Sequence, residues 1–115
     1  MSTTDIVIRP INPADSKWIG ISTRHAWGSE MVVIKGDLYN VRKMPGFTAL
    51  VENKPVGLIT YFDEEDSCMI VTLNSWKEGI GIGRKLIDKV INHCFKKKLK
   101  RLWLITTNDN LNACL

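Results

Sequence analysis

The fold is decided by the stretch Trp76-Lys77-Glu78-Gly79-Ile80-Gly81-Ile82-Gly83-Arg84-Lys85-Leu86-Ile87. Glycine has no Cβ, so the backbone N–H groups of such a loop can point into one concavity. The helix that follows adds its unpaired first-turn N–H groups and the positive end of its dipole. The stretch therefore predicts a phosphate-binding loop, and the alternative is a glycine-rich turn that only reverses the chain.

Two common phosphate loops are excluded by the spacing. A dinucleotide fingerprint that starts at Gly79 and Gly81 needs a third glycine where Arg84 stands. A nucleoside-triphosphate loop needs Gly-Lys followed by Ser or Thr, which does not occur in the sequence. The cations Arg84 and Lys85 oppose the dipole of a helix that they begin, so they favour an anion at this position.

The remaining pattern, Glu78-x-x-Gly81-x-Gly83, resembles the acyl-coenzyme A loop of the GNAT superfamily of N-acetyltransferases, whose pattern is Gln/Arg-x-x-Gly-x-Gly/Ala. Cys68–Ser75 resembles the strand that feeds this loop, and Arg101–Asn108 resembles the next strand. The segment Asn110-Leu111-Asn112-Ala113 matches the family's Asn-x-x-Ala, and Ile6–Pro10 with Asp15 resembles its opening strand and helix start. The resemblance covers nearly the whole chain and is strongest over Cys68–Ala113.

The resemblance implies one domain over residues 1–115 with a mixed α/β (α+β) fold, in which helices flank a largely antiparallel central sheet. The family continues with a Tyr-bearing helix and two strands, which this sequence lacks after Leu115. We therefore expect a C-terminally incomplete domain. The missing layer would belong to a longer product or would be supplied by a partner chain.

Hydrophobic periodicity predicts the individual elements. Residues 5–9 alternate as a strand, and Pro13-Ala14-Asp15 begins a helix that ends near Gly28. Phe47–Val51 and Val56–Phe62 form a hairpin, followed by the strand Cys68–Leu73. The next helix buries one stripe, and the strand Leu102–Thr106 is expected to be central and covered on both faces. The stripe comprises Ile82, Leu86, Ile87, Val90, Ile91 and Cys94.

The resemblance also implies acetyl-CoA as cosubstrate. Leu73 and Asn74 would offer backbone groups to the pantetheine arm and the thioester, while Gly79 through Arg84 would hold the phosphates. Asn110 would steady the cosubstrate, or it caps a helix. The expected cofactor-binding residues are Leu73, Asn74, Gly79, Ile80, Gly81, Ile82, Gly83, Arg84 and Asn110.

The implied reaction is direct attack of a primary amine on the acetyl carbonyl, for which positioning and an oxyanion donor supply much of the rate. No catalytic residue is assigned. Where many family members carry a basic carboxylate, this chain has Met69, and the acids Asp63–Asp66 are interpreted as a solvated turn. Glu78 stands where the family prefers Gln or Arg, and the family's thiolate-protonating Tyr is missing.

Two functions remain open at this point. The first is an acetyl-CoA-dependent N-acetyltransferase that acts on a small amine or a protein amine. The second is a non-catalytic coenzyme A binder or a fragment that self-associates through the exposed edge strand Leu102–Thr106. The aromatic or imidazole side chains of Trp27, His25 and Tyr39 line the acceptor side of the cleft or belong to the core.

The composition and charge of the chain limit the classes of partner that we expect it to bind. The net charge of +4 includes Lys96-Lys97-Lys98, but this cluster follows a helix and lacks interleaved aromatics, so no nucleic acid is expected. No apolar stretch or signal-like start indicates a membrane, and the expected location is cytoplasmic. Cys68, Cys94 and Cys114 lack metal or disulfide spacing, so reduced thiols and no metal are expected. Structural or solvated roles are expected for His25 and His93.

Overall fold

The computed structural model describes residues 5–77 and 79–104. Within them the chain forms seven strands and two α-helices, in addition to two short 3₁₀ turns. In chain order the elements are β1 Ile6–Pro10, α1 Ser16–Trp27, β2 Met31–Ile34, β3 Asp37–Asn40, β4 Gly46–Val51, β5 Lys54–Glu64, β6 Ser67–Ser75, α2 Ile82–Lys97 and β7 Arg101–Leu104. The predicted strand end at Ile105 and Thr106 lies outside the described residues.

Five strands form one sheet in the order β1-β4-β5-β6-β7. All neighbours are antiparallel except β6 and β7, which are parallel and joined by α2. A parallel pair requires a long crossover connection, and α2 is that connection. The strands β2 and β3 form a separate hairpin. The prediction of a largely antiparallel sheet flanked by helices is confirmed.

The two faces of the sheet carry separate cores. On one face α2 buries a single stripe, as its periodicity predicts, against side chains of β4, β5 and β6. On the other face Ile19 of α1 packs with residues of the β2–β3 region and with Leu58 and Val71 of the sheet. The stripe of α2 that is fully buried consists of Ile82, Leu86, Val90 and Cys94.

Helix α2 approaches β5 closely because position 57 is a glycine. A Cβ at Gly57 would lie 2.5 Å from Cγ2 of Ile82 and 3.1 Å from Cδ1 of Leu86. Both of those side chains are almost completely buried, so neither has room to move aside. Gly57 therefore fixes the height of the first turns of α2 above the sheet.

The strand β7 differs from the prediction. In the described part of the sheet it is the outer strand, next to β6 alone. Leu102 is 38% exposed and Trp103 is 52% exposed, so the expected cover on both faces is wrong for these residues. An apolar composition indicated a central strand, but composition does not determine which neighbours a strand has.

The carboxylate of Asp15 holds the start of α1, and this residue is only 3% exposed. Nη1 and Nη2 of Arg9 donate to its two carboxylate oxygens at 2.7 and 2.9 Å. The indole N–H of Trp18 and the backbone N–H of Asn12 also donate to it, each at 2.9 Å. The Arg9 guanidinium and these further donors hold the pKa of the Asp15 carboxyl well below its usual range, although burial opposes them.

Replacement of Asp15 by Asn is expected to lower the free energy of unfolding at pH 7 by about 2–3 kcal/mol, because it removes a charge that four donors share. An Asp with a depressed native pKa stabilises the fold above its unfolded pKa of about 3.9 and loses that contribution as the pH falls below it. Urea unfolding of wild type and Asp15→Asn should therefore show a difference that shrinks between pH 7 and about pH 3.

The matched control is Asp37→Asn, which makes the same chemical change at an exposed position of β3. Its free energy of unfolding should stay within about 0.5 kcal/mol of wild type. A pH-independent difference for Asp15→Asn, or an equal loss in the control, would contradict the assigned role.

Candidate functional site

A cleft of about 960 Å³ opens where β6 ends and α2 begins. The last turn of α1 contributes to its wall, as does the loop between β6 and α2. The described residues that line it are His25, Ala26, Leu73, Asn74, Ser75, Trp76, Lys77, Gly79, Gly81, Ile82, Gly83, Arg84, Ile87 and Asp88.

The glycine loop has the backbone that its sequence predicts. Gly79 and Gly81 have φ values of +84° and +73°, a region that strains residues with a side chain. Gly81 directly precedes α2, and no side chain of the described residues caps the helix there. The N–H groups of the first helical turn lack partners within a helix, so they remain available to a ligand.

Space for a ligand lies directly in front of this loop. A Cβ placed on Gly79, Gly81 or Gly83 would meet no atom of the described chain within 4 Å. This contrasts with Gly57, where a Cβ would collide with the core. The loop glycines thus leave an open concavity in front of an uncapped helix end, which is the geometry that binds phosphate groups.

The structure brings together most of the residues predicted to bind the cosubstrate. Seven of the nine line the cleft: Leu73, Asn74, Gly79, Gly81, Ile82, Gly83 and Arg84. Ile80 instead packs, partly buried, against the core beneath α2. Asn110 lies outside the described residues, and so does Glu78.

The charges that line the cleft are unequal. Lys77 and Arg84 contribute two cations, while Asp88 contributes one carboxylate among the described residues. Lys85 does not share this wall, since it lines a separate depression of about 320 Å³ between β1 and α2. The two adjacent cations of the motif therefore face different surfaces, and Arg84 is the one in the cleft.

Several lining residues were missed by the sequence analysis. Ile87 and Asp88 lie three and four residues after Arg84, so helical spacing would have placed them on the same face. His25, which the sequence analysis considered for the acceptor side, reaches the cleft through the packing of α1, for which the sequence holds no local signal. Trp76 packs edge-on against Trp18 with ring centroids 6.1 Å apart, which ties the loop to α1.

The three residues considered for the acceptor side have different positions. His25 lines the cleft. Tyr39 belongs to the core, with its ring centroid 4.9 Å from that of Phe62. Trp27 packs partly against the core beneath α2 and also lines a second, smaller cavity beside the cleft.

The side chains near the expected base position have structural roles. Met69 packs against the core on the α1 side. Nε2 of His93 donates to a carboxylate oxygen of Asp63 at 2.7 Å, and Glu64 pairs with Lys35. Two of the turn acids are therefore engaged by side chains rather than fully solvated, Asp63 by His93 and Glu64 by Lys35.

The thiols and the candidate metal ligands have no catalytic arrangement in the part of the chain that the structure describes. Cys68 and Cys94 are free and buried, and burial raises the pKa of both thiols, so they stay protonated and inert. No group of three His, Cys, Asp or Glu side chains that could hold a metal ion occurs among the described residues. Likewise, neither described helix has the length and apolarity needed to cross a membrane.

A family model matches residues 16–114 and is described as the acetyltransferase (GNAT) family. YxbD, an uncharacterised protein of Bacillus subtilis (strain 168), is 44% identical over 88 residues, which are 76% of this chain and 55% of that protein. The chain thus spans about half the length of this curated relative.

Solved structures share the fold at low identity. A ribosomal-protein-alanine N-acetyltransferase from Brucella melitensis biovar Abortus 2308 superposes with a TM-score of 0.71 and 16% identity, over 96% of this chain and 88% of that one. An aminoglycoside N-acetyltransferase in complex with CoA gives a TM-score of 0.69 with 13% identity, over 96% and 82% of the two chains. At such identities the likeness shows the fold alone.

Proposed function

The chain belongs to the acetyltransferase (GNAT) family, and we propose that it binds acetyl-CoA in the cleft and transfers the acetyl group to a primary amine. The observation that carries the proposal is the uncapped start of α2, which faces open space across three glycines. A solved fold neighbour contains CoA, and another contains acetyl-CoA, which makes this class of ligand the natural occupant.

The phosphates of the cosubstrate would lie at the loop. The first-turn N–H groups of α2 can donate to a pyrophosphate, and the helix dipole favours its charge. Arg84 would add a charge-assisted hydrogen bond from the cleft wall. Because no Cβ intrudes at Gly81 and Gly83, the backbone can approach the phosphates closely.

The acetyl end would lie beside the last residues of β6. Leu73 and Asn74 line the cleft at this end, and their backbone groups can orient the pantetheine arm and polarise the thioester carbonyl. When bound, acetyl-CoA supplies an activated acyl group with a thiol leaving group. The chain's contribution is then to place the amine against that carbonyl and to hold both in a fixed orientation.

One observation favours the alternative of a coenzyme A binder without turnover. Met69 occupies the position at which many members of the family carry a basic carboxylate, and its side chain packs against the core. Proton removal from the amine would then fall to a group outside that position or to water.

Self-association through β7 and a cytoplasmic location remain predictions from the sequence.

The test is a calorimetric titration of the chain with acetyl-CoA, followed by a transfer assay. We expect saturable binding of one molecule per chain and, with a panel of primary amines, release of free thiol together with an acetylated amine found by mass spectrometry. Binding without release of thiol would support the non-catalytic alternative. Absence of binding by folded protein would contradict both.

A larger residue at position 83 tests acetyl-CoA binding without lowering the stability of the fold. Gly83 lies in the first turn of α2, so Gly83→Leu should leave the melting temperature equal or raise it, since leucine favours helix by roughly 0.5–1 kcal/mol over glycine. The new side chain would point into the open space where the phosphates are proposed to lie. The affinity for acetyl-CoA should therefore fall at least about tenfold, as the lost hydrogen bonds to charged groups imply.

The control for this variant is Asn92→Leu, which adds the same side chain to an exposed position of α2 away from the cleft. Its affinity for acetyl-CoA should equal that of wild type. Unchanged binding by a stably folded Gly83→Leu protein would exclude the proposed phosphate position.

The two adjacent cations provide a second matched pair. Arg84→Gln should weaken acetyl-CoA binding about three- to tenfold at low ionic strength, and the loss should shrink near 0.5 M salt because screening weakens exposed charges. Lys85→Gln removes the same charge one residue later but faces the surface between β1 and α2, so it should change affinity by less than about twofold. Titrations of both variants with acetyl-CoA at two salt concentrations test this difference. Equal losses of affinity in the two variants would contradict the proposed contact of Arg84 with the phosphates.

A further inference from the structure

Strand β1 is an outer strand of the sheet, and its edge is open on both faces. Within the described part of the chain it has one neighbour, β4. On one face Val7 is 59% exposed. On the other face Ile6 and Ile8 are half-buried and line the depression of about 320 Å³ between β1 and α2. Proteins commonly cover such an edge or place a charge in the middle of it, and the middle of β1 has neither protection.

The backbone of β1 has a defined set of groups that face away from β4. The N–H of Ile11 donates to the carbonyl of Gly46 at 3.0 Å, and this pair continues the register in which Pro10 lies opposite Phe47. In an antiparallel pair, successive residues alternate between bonding to the neighbour and facing away from it. Because Ile11 bonds to β4, the N–H and C=O groups of the residues at even positions, Ile6 and Ile8, face outward.

The sequence of this strand is complementary to itself. When the segment Asp5-Ile6-Val7-Ile8-Arg9 is aligned antiparallel to a second copy and centred on Val7, an acid lies opposite a cation at each end. Apolar residues lie opposite apolar residues between them. The same alignment pairs Ile6 with Ile8 of the second copy, and these are the residues whose backbone groups face outward. Charge complementarity and backbone direction therefore select the same register.

The side chains at odd positions share one face of β1, since side chains alternate along a strand. Asp5 is exposed, and the side chain of Arg9 is 35% exposed although it pairs with Asp15. A guanidinium has five N–H donors, so Arg9 can bind a second carboxylate beside the first. Val7 would then lie against Val7 of the second copy, with an Asp5–Arg9 pair on either side. Opposite-charge and β-branched pairs of this kind stabilise antiparallel strands.

The other outer strand, β7, lacks such complementarity. Its one charged residue is Arg101, and it contains no acid. Two fully aligned antiparallel copies of Arg101–Leu104 would place each arginine opposite a leucine. The charge pattern of the two outer strands therefore favours β1 for contact between copies.

We propose that two copies of this chain associate through β1, which pairs antiparallel with itself about a twofold axis at Val7. A closed contact of this type uses the same surface on both copies. It joins the two sheets into one continuous sheet, with two backbone hydrogen bonds for each of the two pairs of Ile6 with Ile8. No described residue of β1 lines the cleft, so both clefts stay open in the dimer.

The first test is sedimentation velocity of the full chain at concentrations from about 10 to about 500 µM, a range that suits the small contact made by one strand edge. Wild type should change reversibly from monomer to dimer across this range. Val7→Lys places two cations directly opposite each other, so it should remain a folded monomer at every concentration. A wild-type chain that is monomeric at the highest concentration would overturn the proposal.

The control is Trp103→Lys, which adds the same charge to the exposed face of the other outer strand. This variant should dimerise like wild type. If Trp103→Lys abolishes the dimer and Val7→Lys does not, the contact lies at β7 and the proposal is overturned.

The end pairs are tested by Asp5→Asn, which removes the acid from both Asp5–Arg9 pairs. The dissociation constant of the dimer should rise about two- to tenfold at low ionic strength, and the rise should shrink in high salt. Asp37→Asn makes the same change at an exposed position of β3 and should leave the dissociation constant unchanged. Equal dissociation constants for the two variants would overturn the proposed register.

A disulfide tests the contact even if Val7→Lys fails to fold. In a pair without hydrogen bonds, opposite Cα atoms of antiparallel strands lie about 4.5 Å apart, which is within the range of a disulfide. Val7→Cys in a Cys114→Ser background should therefore form a covalent dimer when oxidised glutathione takes up the two electrons of the thiols. Val33→Cys, at a similarly exposed valine of β2, should remain monomeric. Equal rates of cross-linking in the two variants would overturn the twofold contact at Val7.

Discussion

The contact between the first turns of α2 and Gly57 of β5 is the constraint on which the rest of the structure depends. Ile82 and Leu86 fill the space that a Cβ at position 57 would take, so the helix axis lies close to the sheet at its N-terminal end. The chain must therefore leave β6, turn within a few residues and begin the helix almost on top of the sheet. Glycines with positive φ at positions 79 and 81 permit that turn. The cleft is the space that this sharp reversal leaves open.

Helix α2 contributes to both the core and the cleft, because the helical repeat places its side chains on two different faces. Ile82, Leu86 and Val90 are buried, whereas Gly83, Arg84 and Ile87 line the cleft. Burial of the first face fixes the second in place, so the uncapped N–H groups of the first turn need no separate support. The helix also lacks a side-chain cap among the described residues, which leaves first-turn donors without partners. The free energy gained by packing the buried stripe offsets the cost of these unpaired donors, and a bound anion would remove that cost.

Local patterns predicted those parts of the fold that depend on local interactions. The loop glycines, the stripe of α2 and the hairpin of β4 and β5 each follow from spacing that a single segment contains. The position of His25 in the cleft and the exposure of Trp103 depend on which elements pack together, and no segment encodes that by itself. The same holds for Trp27, which packs against the core beneath α2 and lines the second cavity only because α1, β2 and β6 lie together. Motif spacing thus predicted most of the residues that line the cleft beside the glycine loop, whereas the part of its wall that α1 contributes required the tertiary structure.

The cleft and the second cavity are built on different elements, and this separation has a physical consequence. The glycine-loop wall of the cleft belongs to β6 and α2, while the second cavity is lined mainly by the end of α1 and by β2. The C-terminal end of α1 is held by contacts outside the glycine loop: the N–H of Gly28 donates to the carbonyl of Arg24 at 2.8 Å, and Glu30 pairs with Arg24 and Arg42. Substitutions in the wall of the second cavity can therefore change its shape and polarity without moving the first turn of α2.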